Sequence, residues 1–333
     1  MAYNDIIGHD RVKGILSSET ASGKASGTYL FWGPDGVGKK DMAYEFGRAL
    51  LCKAASGDAC DQCRSCIDVS KGAHPDFMLL KPEGSFIKIE HLRELSRELT
   101  FRPFSGAKRV AIIENADKMR PEAANAMLKT LEEPPEDTVI ILVTSHSEAL
   151  LPTVRSRCKK IPFGRLSRRE VEHLLIDRHS MDPDEAALLS RISEGSLHNA
   201  LNLDIRSYLE DREALADYLG AGSENEMLAR GMKLVRNLRN KPSDRLESFL
   251  DVFSGLVRDV AVLIVGGHHK LYANGDFIDG LSAISRGWDL GGCRRVIFEI
   301  QVARKELMRF ANKHLLLLSL FIRTARKGGR SLT

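Results

Sequence analysis

The chain has 333 residues, 43% of them hydrophobic, with 49 basic and 45 acidic side chains that leave a formal net charge of +4. This length fits two or three domains with ordinary cores, and the mild basic excess neither demands nor excludes nucleic acid, because a local patch matters more than the sum. The opening MAYNDIIGHD carries no basic-then-apolar leader and no apolar run approaches the ~18 residues that span a bilayer, so a cytoplasmic protein with no membrane partner is expected.

Residues 28–32 (TYLFW) predict a short buried strand, and residues 33–40 directly after it read GPDGVGKK. In this P-loop pattern Gly33, Gly36 and Gly38, with Val37 between the last two, let backbone N–H groups turn inward around a β-phosphate. Lys39 reaches the β and γ oxygens, and the following residue normally gives a hydroxyl to Mg²⁺. Here that residue is Lys40. Residues 41–51, with Met42, Phe46, Ala49 and Leu50 at helical spacing, complete the strand, loop and helix order that the motif requires. ATP or ADP at this loop is compatible with the pattern, whereas hydrolysis is not expected; a glycine turn without ligand is the alternative.

Cys52, Cys60, Cys63 and Cys66 follow, the last three spaced C-x-x-C-x-x-C in a polar stretch. In a reducing compartment this points to a closed tetrahedral zinc site with a structural role, and an iron–sulfur cluster is the rival. Cys158 and Cys293 stand alone and read as buried small hydrophobes. Lys88, Arg93, Arg97, Arg102, Lys108 and Arg109 form a basic stretch that could touch DNA phosphates, although a solvated face is the preferred reading.

Residues 109–114 (RVAIIE) predict a buried parallel strand that delivers an acid to the loop. A Walker B strand ordinarily ends in Asp-Glu, the first acid organising Mg²⁺ and the second polarising water. This chain has Glu114 and Asn115, and an amide cannot accept a proton from water. Ala123, Ala126, Met127, Leu128 and Leu131 give a helical face stopped by Pro134-Pro135, and residues 138–144 (TVIILVT) predict a third strand. Residues 151–158 (LPTVRSRC) form a turn with two arginines. Such a guanidinium can reach a neighbouring subunit's γ-phosphate, and an ordinary surface ion pair is its bland alternative.

Beyond Pro162-Phe163-Gly164 the chain reads as helical. SRRE at 167–170 is a capping-box start, and residues 294–323, with Val296, Ile300, Leu307, Phe310 and HLLLLSLFI, read as one long apolar helix. That breadth suits either packing against partners or a buried central helix. The tail from residue 326 (RKGGRSLT) is expected to be disordered.

Taken together, GPDGVGKK, the four-cysteine insert, RVAIIENADKM, NAMLKTLEEPP and TVRSRC resemble the bacterial clamp-loader branch of the AAA+ superfamily, over about the first half of the chain. The resemblance implies an α/β AAA+ module, a parallel sheet flanked by helices, at 1–163 with the zinc insert at 52–66. It further implies a small helical lid at 164–206 and an all-α collar domain at 207–333. It places Arg157 of the SRC turn (residues 156–158) as a finger acting in trans on a motor subunit's ATP. His198 of GSLHNAL stands where motors carry an arginine; a surface helix residue is the alternative, and a neutral imidazole should grip triphosphate poorly. Thr144 and Ser145 stand at the family's polar sensor. The expected function is a stator that works with gamma/tau-type motor and delta subunits of the DNA polymerase III holoenzyme, a nucleotidyltransferase complex, to load the sliding clamp on primer-template DNA. Two other classes remain open: an ATP-hydrolysing motor, and a nucleic-acid binding module whose cysteine knuckle makes the contact.

Overall fold

The structure, a computed structural model, describes residues 3–54, 57–84, 86–104, 108–268, 271–308 and 312–328. It divides into two compact units, Met1–Leu201 and Asn202–Thr333.

The first unit is built on five parallel strands: β1 (Gly27–Trp32), β2 (Phe77–Leu80), β3 (Arg109–Ile113), β4 (Thr138–Thr144) and β5 (Lys159–Pro162), ordered β2-β3-β4-β1-β5. The central strands are apolar without interruption because both sheet faces are covered. Val110 and Ile112 of β3 and Val139, Ile141 and Val143 of β4 enter one core with Phe31, Met42 and Phe46. Ala111, Ile113, Ile140 and Leu142 enter the other, with Met127 and Leu131. Helices α1 (Asp10–Ala21), α2 (Lys39–Leu51), α3 (Arg64–Ser70), α4 (Ile89–Leu99), α5 (Pro121–Glu132) and α6 (Pro152–Arg155) connect the strands. The expected parallel sheet flanked by helices is therefore present. In α5 the buried face uses Ala124 where Ala126 was expected, and the helix stops at Glu132, ahead of the proline pair.

Helices α7 (Arg168–His179) and α8 (Pro183–Ile192) follow, and then α9 (Leu197–Asn202). The capping box at Ser167 forms as read: Ser167 Oγ accepts from Glu170 N–H at 3.3 Å, and Glu170 Oε2 accepts from Ser167 N–H at 2.6 Å.

In the second unit the described residues form helices α10 (Ile205–Leu219), α11 (Glu224–Leu238), α12 (Ser243–Ile264), α13 (Ile278–Ser285), α14 (Leu290–Met308) and α15 (Lys313–Gly328), with no strand. Tyr218, Phe249, Phe253 and Phe321 pack in their core, Phe253 stacked on Phe321 and the other ring pairs edge to face. The single long helix expected over 294–323 is two helices. Asn312 caps the second, its Oδ1 accepting from the N–H groups of His314 and Leu315. Phe310 lies outside the described residues. The tail expected to be disordered contributes its start to α15 and otherwise lies outside them too. Among the described residues no helix is long and apolar enough to cross a membrane.

Candidate functional site

Parallel strands send all their C-terminal ends to one sheet edge, which is where ligand clefts form in open α/β sheets. Here the edge collects the loop after β1, Asn115 after β3, and Thr144 and Ser145 at the end of β4. Together they border a cleft of about 390 Å³. Gly36, Val37, Gly38, Lys39, Lys40 and His198 line it as well. Side chains that the motif reading did not single out line it too: Ile6, Ile7, Val143, Leu166, Leu174, Leu197 and Leu201 are apolar, and Asp35, Asp41 and Arg178 are charged. The Ile6-Ile7 pair was visible as an apolar couple in a polar opening segment; Arg178 gave no local signal.

The loop conformation depends on its glycines. Gly36 has φ +69°, and a Cβ there would fall 2.3 Å from Ser196 Oγ and 2.4 Å from His198 Cβ. The Gly36 carbonyl accepts from Leu197 N–H at 3.0 Å, so the start of α9 is seated on the loop. Gly33, at φ +150°, lies against the Phe163 carbonyl, 2.2 Å from where a Cβ would be. His9 fixes the other side, its Nε2 2.7 Å from the Val37 carbonyl oxygen, and burial holds its pKa below the ordinary value.

Lys39 is 4% exposed. Its ammonium donates to the carbonyls of Gly33 at 2.8 Å and Pro34 and to Ser145 Oγ at 3.1 Å. Burial pulls its pKa down to about 8 against the opposing pull of Asp35. Asp35 accepts from Ser145 Oγ at 3.2 Å. Burial pushes its pKa upward, but the Ser145 bond, the Lys39 charge and the Gly36 N–H outweigh that and leave it lowered. Thr144 Oγ1 donates to Asp117 at 2.5 Å, so neither polar residue at the end of β4 is idle.

Lys40, at the magnesium-hydroxyl position, and Glu114, at the acid position of β3, are paired with each other: Nζ lies 3.2 Å from Oε2. Lys81 takes the second carboxylate oxygen at 3.4 Å. Mg²⁺ demands oxygen ligands in near-octahedral array, and this corner presents an ammonium and an already neutralised acid. The residues present do not fit the metal. Asn115 beside them holds φ +49° and offers an amide where a base would stand.

Arg157 is not in this cleft. Its Nη1 donates to the Thr153 carbonyl at 2.8 Å and its Nη2 pairs with Glu132 at 3.0 Å, the side chain 29% exposed. Neighbouring Cys158 is buried, with Sγ 3.1 Å from the Val154 carbonyl oxygen, and burial pushes its thiol up to about 12. Cys293 is likewise buried, pushed up to about 11. Neither thiol has the lowered pKa of a nucleophile.

The four clustered cysteines do come together. The Sγ atoms of Cys52, Cys60, Cys63 and Cys66 all lie within 4.8 Å of one another. Cys63 N–H donates to Cys60 Sγ at 3.3 Å and Cys66 N–H to Cys63 Sγ at 3.5 Å, contacts that stabilise thiolate charge. Four converging thiolates suit a tetrahedral ion and leave no open coordination position.

Of the basic stretch, Arg93, Arg97 and Arg102 are exposed. Lys88 pairs with Glu83 at 2.7 Å, and Lys108 donates to the Ala25 carbonyl at 2.7 Å. Arg109 faces inward: it pairs with fully buried Asp76 at 3.0 Å and donates to the carbonyls of Glu98, Phe101 and Arg102. It is therefore unavailable to a DNA backbone.

Residues 8–167 match the family described as "DNA polymerase III, delta subunit". DNA polymerase III subunit delta' of Bacillus subtilis is 35% identical over 183 residues, 55% of this chain and 55% of that protein. The delta' subunit of Pseudomonas aeruginosa is 39% identical over 133 residues, 39% of this chain and 40% of its own. The chain thus spans about half the length of these relatives. Among solved structures, a gamma-subunit-related protein of DNA polymerase III from Thermotoga maritima matches 96% of this chain and 99% of its own length, at 18% identity and a TM-score of 0.46.

Proposed function

From this kinship of the N-terminal unit with DNA polymerase III delta' subunits, we propose that the chain is a clamp-loader stator: a subunit that completes a neighbour's ATP site and hydrolyses none itself. The observation that carries the reading is the Lys40–Glu114 pair beside Asn115. A metal-organising acid bound by two lysines and an amide in place of the water-polarising acid remove both requirements of hydrolysis. The phosphate-facing residues Gly33, Gly36, Val37, Gly38, Lys39 and Lys40 keep the form of a binding loop.

Arg157 is the group offered outward. In the assembly it would leave Glu132 for the γ-phosphate of an adjacent gamma/tau-type motor, where a guanidinium balances charge that develops in phosphoryl transfer. The four-cysteine site would hold structural zinc. Motor and delta subunits would be direct partners in the cytoplasm, with the sliding clamp and primer-template DNA engaged through the complex. The lid and collar roles at 164–206 and 207–333 belong to the same proposal.

The test is ATP hydrolysis by the reconstituted complex. Arg157→Ala should slow one motor site by ~10³-fold, in the range known for arginine fingers. Unchanged hydrolysis and clamp loading would remove the trans role. Steady ATP turnover by the isolated chain, abolished by Lys39→Ala, would instead make it a motor.

A further inference from the structure

We propose that the P-loop cleft takes the phosphate chain of a nucleotide without a divalent cation, the Lys40 ammonium standing where other P-loops hold Mg²⁺. The inference rests on the reading of residues 33–40 as a phosphate loop and concerns what accompanies the phosphates there.

Glu114 is the acid that β3 delivers to this corner, and its side chain is 13% exposed. Both of its oxygens face cations of the chain itself, Lys40 at 3.2 Å and Lys81 at 3.4 Å. A divalent ion would have to displace these lysines and then lie beside their charges. Lys40 is 48% exposed, and it sits on the first turn of α2, so its Nζ can swing between Glu114 and a bound phosphate. Such a swing exchanges one anionic oxygen for another.

The remaining lining suits that ligand. Lys39 can trade the Gly33 and Pro34 carbonyls for phosphate oxygens, which are stronger acceptors for an ammonium. Gly38 starts α2, so the positive end of a 13-residue helix faces the cleft. Arg178 adds a third cation, while Asp35 and Asp41 are the acids that border the same space. The volume of about 390 Å³ lies in the ordinary range for small-molecule sites. A metal-free cradle with three cations of this kind retains phosphates and gives no route to cleave them.

The experiment is calorimetric titration of the full chain with ATP, once with excess magnesium and once with EDTA. Wild type should bind with dissociation constants that agree within about twofold in the two conditions. Lys40→Thr, which restores a hydroxyl ligand and frees Glu114, should make binding at least about tenfold tighter with magnesium than without. Lys39→Ala should weaken binding about tenfold or more in both, with its thermal unfolding measured to confirm that it is folded. Wild-type binding that needs magnesium, or Lys40→Thr behaving like wild type, would overturn the proposal. Absence of ATP binding in both conditions would overturn it too, and would leave the action of Arg157 on a neighbour's ATP to be judged by its own assay.

Discussion

Arg157, just past the end of α6, meets Glu132, the last residue of α5, Nη2 to Oε2 at 3.0 Å, while the same guanidinium holds the Thr153 carbonyl. The fork is thus oriented before any neighbour arrives, and a partner's phosphate has to compete with a single, half-exposed carboxylate. Exposed ion pairs of this kind contribute little to folding. Glu132→Ala should therefore change the urea-unfolding free energy of the chain by less than about 1 kcal/mol. A loss of more than about 2 kcal/mol would show the pair to be a structural strut, with Arg157 unavailable for work in trans.

Metal at the cysteine cluster is the second expectation. Elemental analysis of the purified chain should find one zinc, and Cys63→Ser should lose it. With the metal go ligand bonds that hold the segment from Cys52 to Cys66 folded, so unfolding should become easier by about 3 kcal/mol or more. DNA affinity measured on the folded fraction should stay as in wild type; its selective loss would make the knuckle a nucleic-acid contact instead.

Lys39 supplies a pH signature. Its folded pKa of about 8 lies below the 10.5 of a free lysine. Between these values the unfolded chain binds the extra proton and the folded chain does not, so this group makes stability rise with pH across that window. Below pH 8 the cost of its buried charge is fully present. The unfolding free energy of wild type minus that of Lys39→Met should grow by on the order of 1 kcal/mol or more from pH 8 to pH 10. Shared cysteine and tyrosine titrations cancel in that difference. A flat difference would mean that Lys39 is solvated.

Much of the first unit could be read before folding. The apolar runs of β1, β3 and β4 are continuous because both of their faces are buried, and that pattern survives in one dimension. Strands β2 and β5 escaped notice for the opposite reason: FMLL and KKIP lie at the sheet edges, with partly exposed side chains and no long apolar run. The cysteine cluster was legible because its ligands are close in sequence. The Lys40–Glu114 pair was not, although each substitution was noticed separately. Their meeting depends on β1 and β3 lying on either side of β4, a fact of topology rather than of local pattern. Arg109 looked like a surface cation because nothing nearby announces Asp76. The break at Asn312 could have been found: an asparagine ahead of a fresh apolar run is a helix start signal.

Arg48, near the far end of α2, is 3% exposed and pairs with Glu45 at 2.9 Å on the same helix and with Asp61 in the cysteine segment. The insert is consequently not a decoration that could be trimmed to shorten the chain. Excising it would leave a buried guanidinium short of one counter-charge at the base of the very rod whose tip shapes the phosphate loop. Any streamlined version of this protein must keep Asp61 or replace Arg48 along with it.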